Sequence, residues 1–192
     1  LKSRLLTIFI TFLLQQVIYT SSLPNIIWTN STLSMAPASA SIAYGNGVFV
    51  VMSAIQENSD GAAYSSHGTT WSNSYLPFKA SWSKVFFGNG KFIALPSSYS
   101  SQGAISSNGK SWSTIQFPLS RTWSCGAYGN GVYVVIPVGS EKDNPMMGAY
   151  STDGKKWKNM TLPSFSNITW TAIIFSKDRF VAISATTENG HS

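Results

Sequence analysis

Four apolar runs return along the chain at a nearly fixed interval: Val48-Phe49-Val50-Val51-Met52, Lys91-Phe92-Ile93-Ala94-Leu95, Val132-Tyr133-Val134-Val135-Ile136 and Arg179-Phe180-Val181-Ala182-Ile183. A short uninterrupted run of this kind reads as a strand buried on both faces. Each follows a tight turn: Tyr44-Gly45-Asn46-Gly47, Phe87-Gly88-Asn89-Gly90, Tyr128-Gly129-Asn130-Gly131 and the degenerate Phe175-Ser176-Lys177-Asp178. Before the turn stands another strand, Trp82 to Phe87, Trp123 to Tyr128 or Trp170 to Phe175. After the apolar run comes a small, apolar third strand such as Met147-Gly148-Ala149-Tyr150. A fourth, such as Trp157 to Leu162, alternates and ends near Pro77, Pro118 or Pro163. Alternation with a terminal proline fits an outer strand facing solvent.

The third and fourth strands are joined by a recurring motif. Its copies are Tyr64-Ser65-Ser66-His67-Gly68-Thr69-Thr70-Trp71, Ile105-Ser106-Ser107-Asn108-Gly109-Lys110-Ser111-Trp112 and Tyr150-Ser151-Thr152-Asp153-Gly154-Lys155-Lys156-Trp157. Asp-Gly and Asn-Gly between strand-like runs signal tight hairpins, because both residues tolerate positive φ. The first turns, at positions 45, 88, 129 and 176, are spaced by 43, 41 and 47 residues, and Trp28, Trp71, Trp112 and Trp157 keep step. Four strands per repeat, apolar inside and amphipathic outside, predict an all-β chain built as a β-propeller. The expected units are a lone outer strand at 26–34, full units at 38–77, 80–118 and 121–163, and a partial unit at 168–192. An incomplete propeller is therefore expected, with the natural protein continuing into further units, in preference to a four-unit ring closed by the N-terminal strand. Such a ring would still lack one third strand.

Residues 1–22 stand apart. Lys2 and Arg4 precede the apolar run Leu5 to Leu14, and small residues follow at Thr20-Ser21-Ser22. This is the layout of a secretory signal, and the run is short for a membrane span. The segment is expected to be a cleaved signal or an uncleaved N-terminal anchor, which places the protein outside the cytoplasm, secreted or at the cell surface. Charged residues make up 10% of the chain and aromatic ones 14%. The net charge of +6 includes Lys2 and Arg4, and the remaining lysines are scattered, so no nucleic-acid footprint is present. Cys125 is the single cysteine, which excludes an intrachain disulfide, and its apolar strand suggests a buried, inert thiol.

The Ser-x-Asp-Gly-x-x-Trp motif resembles the Asp-box (BNR-type) repeats of sialidase-like propellers, sortilin-type receptors and many bacterial and phage surface proteins. The usual box is Ser-x-Asp-x-Gly-x-Thr-Trp; here it is one residue shorter, with Asn108 and His67 replacing Asp in two copies. The resemblance implies that Ser65, His67, Gly68, Trp71, Ser106, Asn108, Gly109, Trp112, Ser151, Asp153, Gly154 and Trp157 are structural. It also implies a sialidase-like glycoside hydrolase as the alternative function. That chemistry uses three arginines, a Tyr–Glu pair and an acidic Asp; beyond residue 22 the chain has Arg121 and Arg179 alone. No catalytic residue, metal ligand or cofactor is assigned.

Strand alternation puts both families of tight turn on one face, with Lys91, Lys110, Lys155, Lys156, Lys177 and Arg179. The opposite face carries variable loops with Glu57, Asp60, Glu141, Asp143 and Glu188, and also Lys79 and Arg121. Variable loops on a rigid scaffold commonly carry recognition. The expected function is a binding or adhesion module that takes a glycan or a surface protein on this face. Trp82, Trp123 and Trp170, with Arg121, are its candidate binding residues; packing between units is the other reading of the three tryptophans. Asn30, Asn159 and Asn167 begin glycosylation triplets.

Overall fold

The computed structural model describes residues 16–21, 27–33, 40–53, 59–139, 146–163 and 168–186. All regular structure among them is antiparallel β. One four-stranded sheet contains β3 (Ala40–Gly45), β4 (Val48–Ser53), β5 (Ser59–Ser65) and β6 (Ser72–Ala80) in chain order. A second contains β7 (Trp82–Gly88), β8 (Lys91–Pro96), β9 (Ser100–Ser106) and β10 (Ser113–Arg121). A third contains β11 (Trp123–Gly129), β12 (Val132–Pro137), β13 (Met147–Ser151) and β14 (Lys158–Thr161). Two hairpins complete the described residues, β1 (Gln16–Ser21) with β2 (Ile27–Thr32) and β15 (Ile168–Ser176) with β16 (Arg179–Thr186).

The register repeats as strictly as the sequence. Across the first hairpin of each unit an aromatic pair faces: Tyr44 with Phe49, Phe87 with Phe92, Tyr128 with Tyr133 and Phe175 with Phe180. Their ring centroids lie 4.5 to 4.9 Å apart, within the range for favourable aromatic pairs. The connecting turns have positive φ at both central residues, as at Asn46 (50°) and Gly47 (73°), which matches the twist of the strands they join. Lys177 and Asp178 keep that geometry at 49° and 63° without a glycine.

The innermost strands β3, β7, β11 and β15 stand side by side, so the sheets form a row. The core lies in the seams of this row. Val50, Met52, Ala62 and Leu76 of the first sheet pack with Trp82, Val85 and Phe92 of the second. Ile93, Leu95, Ile115 and Phe117 of the second pack with Trp123, Tyr133 and Trp157 of the third. Val134 and Ile136 of the third pack with Trp170, Ile173 and Phe180 of the last hairpin. Sheets stacked face to face bury their second strands on both sides, which is why those runs are apolar without alternation.

At the N-terminus a further hairpin precedes the first full unit. Gln16–Ser21, inside the segment expected to be a leader, form β1 and pair with β2. Residues 1–15 lie outside the described residues. Tyr19 faces Thr29 just as Tyr64 faces Ser72, Ile105 faces Ser113 and Tyr150 faces Lys158. The hairpin thus has the register of third and fourth strands. β1 holds the third-strand place beside β2, in a two-stranded sheet separate from β15–β16.

Candidate functional site

The three Ser-x-Asp-Gly turns are built from their own polar side chains. Ser151 Oγ accepts the amides of Asp153 and Gly154 at 3.3 and 2.9 Å and donates to Asp153 Oδ1 at 3.0 Å. Asp153 Oδ1 then accepts the amides of Lys155 and Lys156 at 2.8 and 2.7 Å. These bonds, Lys156 foremost and then Lys155, hold the Asp153 carboxyl down at about 2. Ser106 and Asn108 repeat the pattern, with Asn108 Oδ1 accepting Lys110 and Ser111 at 2.9 Å each. Ser65 caps Gly68 and His67 in the same way at 2.8 and 3.2 Å. His67 Nδ1 meets instead the hydroxyl of Thr69 at 3.1 Å. The three turns are occupied with holding their own backbone.

Each motif tryptophan joins its turn to a neighbour. Trp71 Nε1 donates to Ser31 Oγ and Trp112 Nε1 to Ser74 Oγ, both at 3.0 Å. Ser31 and Ser74 in turn donate to the carbonyls of Thr69 and Lys110 at 2.8 and 2.9 Å. Trp157 lacks a serine at that place and donates to Gly154 O at 3.1 Å, its ring 4.9 Å from Phe117.

The residues expected to form a binding rim are placed otherwise. Trp82 and Trp123 are 0% and 1% exposed, and their rings lie 4.8 Å from Phe78 and Phe117. Their indoles donate to Phe78 O at 3.2 Å and Ser100 O at 3.1 Å. Burial between units leaves neither with a face for a sugar ring. Trp170 is half-buried, with Nε1 3.0 Å from Met146 Sδ. Arg121 is half-buried and donates to Ser120 O at 3.0 Å. It ends β10, whereas Arg179 begins β16 beside the Lys177–Asp178 turn, so strand direction sets the two at opposite ends. Glu57, Glu141, Asp143, Glu188 and Asn167 lie outside the described residues. Asn30 and Asn159 are exposed, on β2 and β14.

A concave site exists on the turn side, which the sequence reading had left aside. A cleft of about 570 Å³ runs along the seam where β10 meets the turn of the third unit. Lys91, Asn108, Ser111, Thr114, Gln116 and Lys155 supply its polar lining. Gln116 is bridged to Lys156, which fixes the two walls together. Lys91 Nζ reaches across and donates to Asp153 O at 2.7 Å. Lys155 is exposed at the rim. Sequence spacing placed both lysines on this face, but the cleft arises only from the stacking of two sheets. The arrangement offers cationic and hydroxyl or amide donors to a polar ligand.

Cys125 is buried on β11, and burial raises its thiol above the usual range. A thiol held protonated is a poor nucleophile.

No family model and no curated protein matches the chain. Among solved structures it is similar to the computationally designed Ika4 protein, with TM-score 0.52 and 10% identity over 83% of this chain and 97% of that one. It is also similar to apo AztD from Citrobacter koseri, with TM-score 0.44 and 8% identity over 83% of this chain and 46% of that protein. At such identity the first likeness bears on the fold alone.

Proposed function

We propose that the chain is a β-propeller binding module of the Asp-box type, working outside the cytoplasm as a recognition or adhesion element. The seam cleft between the second and third units is its ligand site. The observation that carries this reading is the cleft itself: a concave volume with two lysines and a row of hydroxyl and amide side chains on a rigid sheet scaffold. The ligand class that fits is an acidic glycan. Hydroxyl groups pair with Ser111, Thr114 and Gln116, and a carboxylate or sulfate lies beside Lys155. Such sites take few, well-placed polar groups for orientation. The repeat supports the Asp-box reading, since each motif serine caps its glycine in the same way.

The test is retention of the purified chain on immobilised neutral, sialylated and sulfated oligosaccharides. Acidic glycans should be retained, and Lys155→Glu should weaken that binding at least about tenfold, or 1.4 kcal/mol. Equal retention of all glycans, or binding indifferent to both Lys155→Glu and Gln116→Ala, would defeat the proposal.

A further inference from the structure

The seam between the first and second units repeats the construction of the seam that forms the cleft. Tyr75 is bridged to Ser111 just as Gln116 is bridged to Lys156. The motif glycine Gly109 lies against Val50 as Gly154 lies against Ile93. Lys110 follows its glycine as Lys155 does, so it stands over the first seam where Lys155 stands over the second. One difference matters. Half-buried Tyr64 takes the place of Ile105, which lines the cleft. Lys110 Nζ lies 5.1 Å from the centroid of the Tyr64 ring. The first seam therefore presents an ammonium seated on an aromatic ring, with the exposed Ser72 at the strand position facing Tyr64.

The two seams share a wall. Asn108 and Ser111 line the cleft, and Lys110 belongs to the same turn. That turn bounds the cleft on one side and carries the Lys110 ammonium to the other. The wall is uncharged: Asn108 stands where the third unit has Asp153, and its Oδ1 is taken by the amides of Lys110 and Ser111. Across both seams the turns supply Lys91, Lys110, Lys155 and Lys156 against the single carboxylate of Asp153. Two backbone amides already occupy Asp153 Oδ1. A surface with this balance draws anions along its length rather than to one point.

We propose that the turn face binds a linear, multiply charged acidic polysaccharide laid across both seams. One anionic sugar sits in the cleft beside Lys155, and another, further along the same polysaccharide, meets Lys110. The inference rests on the reading of the cleft as an acidic-glycan site and adds a second subsite to it. Lys110 suits that role. The Tyr64 ring holds its ammonium by a cation–π contact and leaves outward N–H donors for a sulfate or carboxylate. The rigid sheets fix the two subsites one repeat apart, so the second anion of a long enough ligand binds as an intramolecular step. A short saccharide seated in the cleft gains nothing from Lys110.

Calorimetric titration of the full chain with fully sulfated di- and octasaccharides tests this. The octasaccharide should bind about a hundredfold tighter, well above the roughly fourfold gain that four disaccharide registers bring by counting alone. Lys110→Gln should weaken octasaccharide binding about tenfold and leave disaccharide binding in the cleft unchanged. Lys79→Gln removes the same charge from an exposed position at the loop end of β6 and should leave both unchanged. An octasaccharide gain no larger than the counting gain, or equal losses from Lys110→Gln and Lys79→Gln, overturns the second subsite and leaves the single-cleft reading standing. Octasaccharide binding that is lost in Lys110→Gln but indifferent to Lys155→Glu defeats the cleft reading and the two-seam span together. Binding of neither length does the same.

Discussion

The hydroxyl of Tyr133 donates a 2.6 Å hydrogen bond to the carbonyl of Gly88, tying the buried strand of the third unit to the turn of the second. Phenylalanine fills this position in the other units, at Phe49, Phe92 and Phe180. Burial, with lesser contributions from Tyr128 and Asp153, pushes the Tyr133 hydroxyl up to about 12. In the unfolded chain it ionises near 10. The unfolded state therefore loses its proton first, and stability falls as pH rises through that interval. Tyr133→Phe is expected to cost about 1 kcal/mol at neutral pH, the worth of one net hydrogen bond. It should also flatten the stability profile between about pH 10 and pH 12. Urea midpoints across that range check both; parallel profiles for the two proteins would contradict the account.

Asp153 works in the opposite direction. Its folded carboxyl ionises at about 2 against an ordinary 3.8, so its contribution is complete above about pH 4 and is lost as pH falls toward 2. Asp153→Asn keeps the acceptor oxygen, as Asn108 does in the second unit, but removes the charge. The expected outcome is a shallower acid limb in urea denaturation measured from pH 5 to pH 2. An unchanged limb would mean that the turn draws nothing from ionisation.

The first unit carries the weakest version of the same turn. His67 makes neither of the two amide bonds that Asp153 and Asn108 make to the residues two and three further on. His67→Asp should add them and stabilise the fold by about 1 kcal/mol. Calorimetry should show a melting temperature higher by about 2–4 °C. A lower value would show that the His67–Thr69 contact is worth more than both amide bonds.

Among the motif tryptophans, burial ranks the cost of truncation. Trp157 is buried and lies against Phe117 and Tyr133, whereas Trp112 is half-buried. Trp157→Ala should cost about 3–5 kcal/mol, as large-to-small core changes do. Trp112→Ala should cost less. Ser74→Ala should cost about 1–3 kcal/mol, because it leaves the Trp112 indole and the Lys110 carbonyl without their shared partner. Guanidinium melts of the three variants give the order, and an equal loss for both tryptophans would refute a ranking by burial.

Two glycines with the same backbone conformation separate strain from packing. Gly47 and Gly109 have φ of 73° and 69°, yet an added Cβ meets nothing within 4 Å at Gly47 and Val50 Cγ2 at 2.4 Å at Gly109. Gly47→Ala should cost about 1 kcal/mol from backbone strain alone. Gly109→Ala carries that strain and also pushes the turn off the neighbouring sheet, so its melting temperature should fall further. Equal shifts would place the turn clear of Val50.

The sequence by itself determined the strands, their order in three units and the two families of turn. These follow from local chemistry: apolar runs for doubly covered strands, Asn-Gly and Asp-Gly for positive φ, and serine to cap a glycine amide. Trp28 was legible as an outer strand because it keeps step with Trp71, Trp112 and Trp157. Tertiary structure decided which surfaces are open. The same tryptophan patterning suits a sugar-stacking rim or a packed seam, and only the approach of neighbouring sheets buries Trp82 and Trp123. The cleft beside Lys155 has walls from two units, so no single stretch of sequence encodes it. The pairing of Gln16–Ser21 with β2 was not legible, because an apolar stretch ending in small residues carries no register of its own. Only the backbone pairing with β2 shows it as a strand.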